Sequence, residues 1–294
     1  MSKGNNNAAT SAKKRGQMYD VWRHLKRNKG AMLGLAIVVL LILMVAFAGI
    51  IYDYEDVVIK QDIPNRLQSP SAAHPFGTDE MGRDIMARIF HGARMSLGIS
   101  VVAVCFSLVV GGILGASAGF FGGTVDMVIM RTMDILLAVP NILLAITIVA
   151  ALGASNFNLI LALTISSVPG FSRIVRGAVL TVRDSEYIEA ARAIGAKNGR
   201  IILSHVIPNC IGPILVQTTL NVGGTILSTA GLSFLGLGVQ APRPEWGGML
   251  SSGRTYIRDY SYITMFPGCM IMITILSLNL LGDGLRDALD PRLK

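Results

Sequence analysis

An all-α membrane protein with six transmembrane helices is the fold class this sequence predicts, and three observations predict it. Hydrophobic residues fill 52% of the 294 positions and charged ones 15%, against roughly a quarter charged in an ordinary soluble domain. The charges are clustered, which leaves five long uncharged stretches. Lysine and arginine also divide unevenly, with 18 of the 26 falling on one side of the membrane that those stretches imply, as positive-inside topology requires. The low charge excludes a solvated disordered chain. Three cysteines, one in each of three apolar stretches, exclude a disulfide-stapled fold.

Residues 1–30 form a basic cytoplasmic segment carrying Lys3, Lys13, Lys14, Arg15, Arg23, Lys26, Arg27 and Lys29. Within it Met18, Trp22 and Leu25 interleave with the basic residues, the pattern of an interfacial helix with Trp22 at headgroup level. The first span, 31–52, is almost wholly aliphatic. Ala46-Phe47-Ala48 resembles a signal-peptide cleavage site, but the long leader and long apolar run favour an uncleaved anchor. An extracytoplasmic segment, 53–94, mixes acids and bases. The core then runs from 95 to 294.

Inside that core, one helix of about 20 residues is enough to cross a bilayer. Met95 to Val125 therefore holds one span. Ile135 to Ser172 is too long for one and breaks at Gly153-Ala154-Ser155-Asn156, a turn between two. Ile201 to Pro242 holds a single span over about 209–230, or a hairpin bent at Gly223-Gly224; the prolines near its start and glycines near its end favour the single span. Tyr260 to Gly282 supplies the sixth. Alternation leaves both termini and the loop 173–204 in the cytoplasm. Cys105, Cys210 and Cys269 read as small apolar packing residues, and His24, His74, His91 and His205 do not cluster, so no metal site is expected.

The spans contain no Asp, Glu, Lys or Arg, which counts against a secondary transporter with an ion or proton relay. No H-E-x-x-H or convincing acid pair offers intramembrane hydrolysis, and no G-x-x-x-x-G-K-[ST] phosphate loop occurs. The chain is a passive pore or the membrane half of a machine whose engine is another polypeptide.

The loop 173–204 is where an engine would grip. Ser185 can cap a helix whose positive end Glu186 and Glu189 favour. Ile188, Ala191 and Ile194 share helical spacing, and Gly195 can stop the helix. In the second span Gly111, Gly115, Gly119 and Gly123 recur every four residues, a groove for close helix approach. In the fifth, Gln217, Asn221, Thr225 and Ser228 make one polar face on an apolar helix. They either bond neighbouring helices or line a wet path. In the outer segment Asp79, Gly82, Arg83 and Asp84 sit in a G-T-D-x-x-G-R-D stretch, read as a salt-bridged fold in preference to a catalytic set.

Glu189-Ala190-Ala191, three residues, Gly195, and nine more before His205-Val206-Ile207-Pro208 resemble the EAA loop of binding-protein-dependent ABC importer permeases. His205 stands where that pattern has a branched aliphatic residue, and Ile207 where Leu is common. Phe76-Gly77-Thr78-Asp79-Glu80-Met81-Gly82-Arg83-Asp84, Leu232-Ser233-Phe234-Leu235-Gly236-Leu237-Gly238 with Pro242-x-Pro244-Glu245-Trp246-Gly247, and Gly282-Asp283-Gly284-Leu285-Arg286-Asp287 are similar to the C-type subunit of dipeptide, oligopeptide and nickel importers. The resemblance covers about 18–294 and implies a type I (MetI-like) permease of a prokaryotic inner membrane. It implies that Ile188, Glu189, Ala190, Ala191, Ile194, Gly195 and Pro208 belong to the coupling loop. It further implies a B-type permease partner, two ABC ATPase subunits carrying ATP and Mg2+, and an extracytoplasmic substrate-binding protein, which the outer loop could contact. No cofactor is expected on this chain itself. Dipeptides or short oligopeptides are the implied cargo, with nickel, glutathione or another small polar solute as the alternative.

Overall fold

The computed structural model describes Tyr19 and residues 21–289. The readings placed on Lys3, Lys13, Lys14, Arg15 and Met18 lie outside the described residues. Residues 21–27 are helical, with Leu25 buried, Trp22 exposed, and the Lys26 ammonium 5.0 Å from the Trp22 ring centre.

Helix α1, Lys29–Ile51, begins where the Asn28 side chain accepts from the Ala31 N–H. It packs along α10, Tyr262–Leu289. The two backbones meet at Gly34, where a Cβ would stand 3.0 Å from the Leu281 nitrogen. Helix α2 spans Ile85–Phe121, and its 37 residues make a rod of about 55 Å. This is nearly twice the ~30 Å hydrocarbon thickness. Its first turns therefore belong to the outer structure, ten residues ahead of the Met95 start read from the charge gap. Asp84 sets that start by accepting from the Ala87 N–H at 2.8 Å.

The third span departs from a straight rod. Gly122 and Gly123 take φ of +66° and +53°, conformations that cost glycine little, and end α2. Helices α3, Gly123–Leu137, and α4, Asn141–Leu152, then follow with an 83° bend between them. Pro140 supplies the break. Helix α3 carries Asp126, Arg131 and Asp134 and α4 carries no charge, so only the second half can lie in hydrocarbon.

Helix α5, Asn156–Leu180, is capped by Ser155 after the expected turn at 153–155. A short helix α6, Glu186–Ala193, follows, then α7, Asn198–Ile201, a π-helical turn and α8, Ile207–Phe234. Helix α8 is continuous through Gly223-Gly224, so no hairpin forms. A short helix α9, Trp246–Gly253, folds back outside before α10. Among the described residues, five helical runs are long and apolar enough to cross a membrane, and the bent pair α3–α4, taken as one span, makes a sixth.

Three buried clusters hold these together. One joins α1, the outer end of α2, α8, α9 and α10 around Trp246 and Ile89. A second, at the cytoplasmic end, gathers Phe120, Val175, Val179, Ile188, Ala191, Ile201 and Val206. The third packs α4 against α5, with α2 and α8 contributing, through Val149, Leu159, Ala103 and Leu232. Cys210 is buried as expected for packing, whereas Cys105 is exposed on the outside of α2.

Candidate functional site

Helix α6 is held by one face and free on the other. Ile188 and Ala191 are buried in the cytoplasmic cluster, and the Arg192 guanidinium sits 5.2 Å from the Phe120 ring centre. Tyr187, Glu189, Ala190 and Ile194 are exposed. Ile194 does not share the face of Ile188 and Ala191: the helix ends at Ala193, and Ile194 adopts φ −83°, ψ 7° as its C-cap. Its side chain is 85% exposed. Tyr187, Ala190 and Ile194 make the free apolar face, while Ile188 and Ala191 are the anchor. Gly195 stops the helix at φ +80°. Ser185 occupies the cap position, but its hydroxyl donates to the Val182 carbonyl at 2.6 Å and caps no N–H. Pro208 lies in the first turn of α8, exposed and outside α6.

The loop leads upward into α5, which is braced twice against α3. Arg176 grips Asp126 with both arms, at 2.5 and 2.6 Å, and Arg173 donates to Asp134 at 2.5 Å. Arg183 donates to the Gly119 carbonyl at 2.9 Å, fastening the base of α5 to α2. None of these pairs was legible as a pair in the sequence.

Higher along α5 a cavity of about 150 Å³ opens, lined by Asn141, Ser166, Ser167, Asn221, Thr225 and Ser228 among others. Three of the four residues of the polar stripe on α8 face it; Gln217, one turn further toward the cytoplasm, does not border it. Ser228 and Ser166 turn their hydroxyls back to the Gly224 and Ala162 carbonyls. Asn141, Ser167, Asn221 and Thr225 make no side-chain hydrogen bond to any described residue. Unpaired polar groups are costly in hydrocarbon, so their concentration around one opening marks a wet space.

The glycine stripe works as close packing, with one exception. Against Gly111 a Cβ would come within 2.7 Å of the Phe171 Cβ, and against Gly119 within 2.9 Å of the Val179 Cβ; at Gly115 it would collide with the Ser172 carbonyl. All three press on α5, the most extensive helix pair of the fold. Ser107 continues the line and donates to the Thr164 carbonyl at 3.1 Å. Gly123 meets nothing and serves the turn after α2.

Residues 111–294 match the family of binding-protein-dependent transport system inner membrane components, and residues 16–70 match the N-terminal transmembrane domain of oligopeptide transport permease C. A dipeptide transport system permease protein, DppC, of Alkalihalophilus pseudofirmus is 50% identical over 94% of this chain and 90% of its own. The chain belongs to this family. It is an ABC importer permease of the bacterial inner membrane, a component of a binding-protein-dependent complex and not itself an ATPase. A di/tripeptide permease, DppC, of Pseudomonas aeruginosa is 43% identical over 94% of this chain and 92% of its own, and a glutathione permease, GsiD, of Escherichia coli O157:H7 is 44% identical over 94% and 91%. The inward-facing MetNI methionine ABC transporter has the same fold over 70% of this chain and 98% of its own, with a TM-score of 0.58 at 19% identity.

In this permease the outer motif is a buried ion-pair knot. Asp79 accepts from the Met81 and Arg83 N–H groups, both at 2.9 Å, and faces the Arg83 and Arg88 Nε atoms at 2.7 and 3.3 Å. Asp84 caps α2 with one oxygen and lies 2.8 Å from His74 Nδ1 with the other. Gly82 turns at φ +78° against the Asp62 carbonyl. Sequence reasoning gave Glu245 no role. It is buried, and its carboxylate takes the Gly247 and Gly248 N–H groups and the Ser96 hydroxyl at 2.8–3.0 Å, pinning α9 to α2.

Proposed function

We propose that this chain is the C-type half of a dipeptide or short-oligopeptide importer. A B-type permease would pair with it, two ABC ATPases carrying ATP and Mg2+ would sit below, and a substrate-binding protein above. The reading of the cargo rests on the peptide permeases among its relatives. The reading of the mechanism rests on one observation: the free apolar face of α6 stands on a loop continuous with α5, whose upper half walls the polar cavity.

In this mechanism ATP closes the engine dimer, and a groove of each ATPase pulls its permease by Tyr187, Ala190 and Ile194. Ile188 and Ala191 pass the displacement into the cytoplasmic cluster, and α5 carries it to the cavity. Asn221, Thr225 and Ser228 form one wall of the translocation path, offering amides and hydroxyls that bind weakly and release. Hydrolysis relaxes the engine and resets the path. The permease must favour different conformations with and without ATP on its neighbour, or nothing is coupled.

Reconstitution of the four-part importer with its binding protein tests this. ATP-dependent accumulation of a labelled dipeptide, absent without the ATPases, is the expected result. Accumulation by the permease pair alone would overturn it. The similarity to a glutathione permease supplies a second reading, in which the binding protein takes glutathione and ignores dipeptides; titration of that protein with both decides.

A further inference from the structure

Helix α4 starts inside the membrane. Its 12 residues run from Asn141 to an outer end at Leu152, so Asn141 lies about 16 Å below that end. Ser167 stands on α5 11 residues below Asn156, about 16 Å deep by the same rise. Thr225 stands nine residues before the outer end of α8 at Phe234, about 14 Å deep. All three lie near the middle of a ~30 Å core, and all three border the one cavity.

A helix start is electropositive, with N–H groups that lack partners. At α4 the cap residue is Pro140, no side chain caps the helix, and no acid stands in its first turn. Asn141 and Ala145 border the cavity, so this first turn faces it. A second observation is independent of the helix. Thr225 is 5% exposed, borders the same cavity, and its hydroxyl makes no hydrogen bond to any described residue. A hydroxyl that borders a cavity without a protein partner is free to bond something that enters. No charged side chain lines the cavity, so an entering cation would find only dipole ends of the wrong sign at α4.

We propose that the start of α4, with Asn141, Ser167 and Thr225, is a subsite for the carboxylate terminus of the transported solute. The α4 N–H groups and the Asn141 amide donate to one carboxylate oxygen, and the Ser167 and Thr225 hydroxyls to the other. The interaction carries no full opposing charge, so the anion is held briefly and let go. This inference rests on the cavity's being part of the path.

The test uses the assembled importer without its binding protein, in proteoliposomes, with Cys105→Ser, Cys210→Ala and Cys269→Ala in this chain. Ser228→Cys reports on the cavity through its rate of labelling by a small polar thiol reagent; Ser167→Cys serves if that variant fails to assemble. Free dialanine is expected to slow labelling about tenfold more than dialanine amide, the ratio that one charge-assisted hydrogen bond gives. Thr225→Val and Asn141→Asp, the latter bringing its own carboxylate to the helix start, should each remove the difference, and Thr225→Ser should keep it. Equal protection by acid and amide, or protection by neither, overturns the carboxylate subsite alone. A labelling rate unmoved by ATP on the engine overturns the path reading beneath it.

Discussion

Replacing Ile194 by Asp separates docking from folding. The side chain is 85% exposed and contributes nothing to the buried clusters, so the isolated permease should keep its stability to within ~0.5 kcal/mol. In the proposed complex the same side chain would fill the ATPase groove. Fully burying an isoleucine is worth about 1.5–3 kcal/mol, and a stranded carboxylate adds to the loss, so about 3 kcal/mol is a fair total, or roughly a hundredfold in affinity. Co-purification of the ATPases and dipeptide uptake in vesicles read the effect directly. Ile188→Ala is the counterpart. That side chain is fully buried, and its truncation should cost about 2–5 kcal/mol of fold stability, seen as a lower unfolding temperature of the permease without any ATPase present. A destabilised Ile194→Asp permease, or one that binds its ATPases at full strength, would refute the assignment of the two faces.

Gly195→Pro should abolish uptake while leaving insertion intact, because proline fixes φ near −65° where the chain needs +80°; membrane fractionation and uptake together check it. Glu189→Lys reverses an exposed charge on the proposed docking side and should likewise stop uptake without changing the amount of permease in the membrane. Gly115→Val should drive α2 from α5, since even a Cβ collides with the Ser172 carbonyl; overpacking of about 1–3 kcal/mol or more would lower detergent-extracted yield and unfolding temperature. Asp79→Asn leaves Arg83 and Arg88 buried beside a neutral partner; losing one member of a buried pair costs about 3–5 kcal/mol, and protease nicking of the outer segment should increase.

The six crossings were legible because hydrocarbon tolerates so little charge that gaps in Asp, Glu, Lys and Arg mark depth directly. Helix α6 was legible for another reason: Ser185 and Gly195 punctuate it, and eight residues leave little room for another arrangement. The same punctuation hid the position of Ile194. Spacing from Ile188 assumed a helix that had already ended, and a residue past the last turn points where the cap sends it. The α3–α4 bend was illegible because composition places Asp126, Arg131 and Asp134 outside hydrocarbon without saying whether they form a loop or a helix lying along the surface. Half of the cavity was visible as the stripe on α8. Asn141, Ser166 and Ser167 were not, since no feature of one helix states which neighbour it faces across a membrane.

In the proposed mechanism the bracing of α5 decides how a push on α6 would reach the cavity. Were α5 free to slide on α3, motion at Ile188 would dissipate at the cytoplasmic surface. The two-armed Arg176–Asp126 pair and the Arg173–Asp134 pair forbid that over the length of α3, and the fork geometry fixes direction as well as distance. Single exposed ion pairs contribute little to stability, so their value here is geometric. Helix α3 leads through Pro140 into Asn141, so whatever moves α5 also moves the start of α4. Ser166 and Ser167 on one arm and Asn141 on the other therefore shift together against the stripe on α8. Closure by glycine packing keeps α2 with α5, leaving the α8 side as the seam that can open. A coupled element must have two arrangements that its partner biases, and this seam is where the fold leaves polar groups unpaired instead of tightly packed.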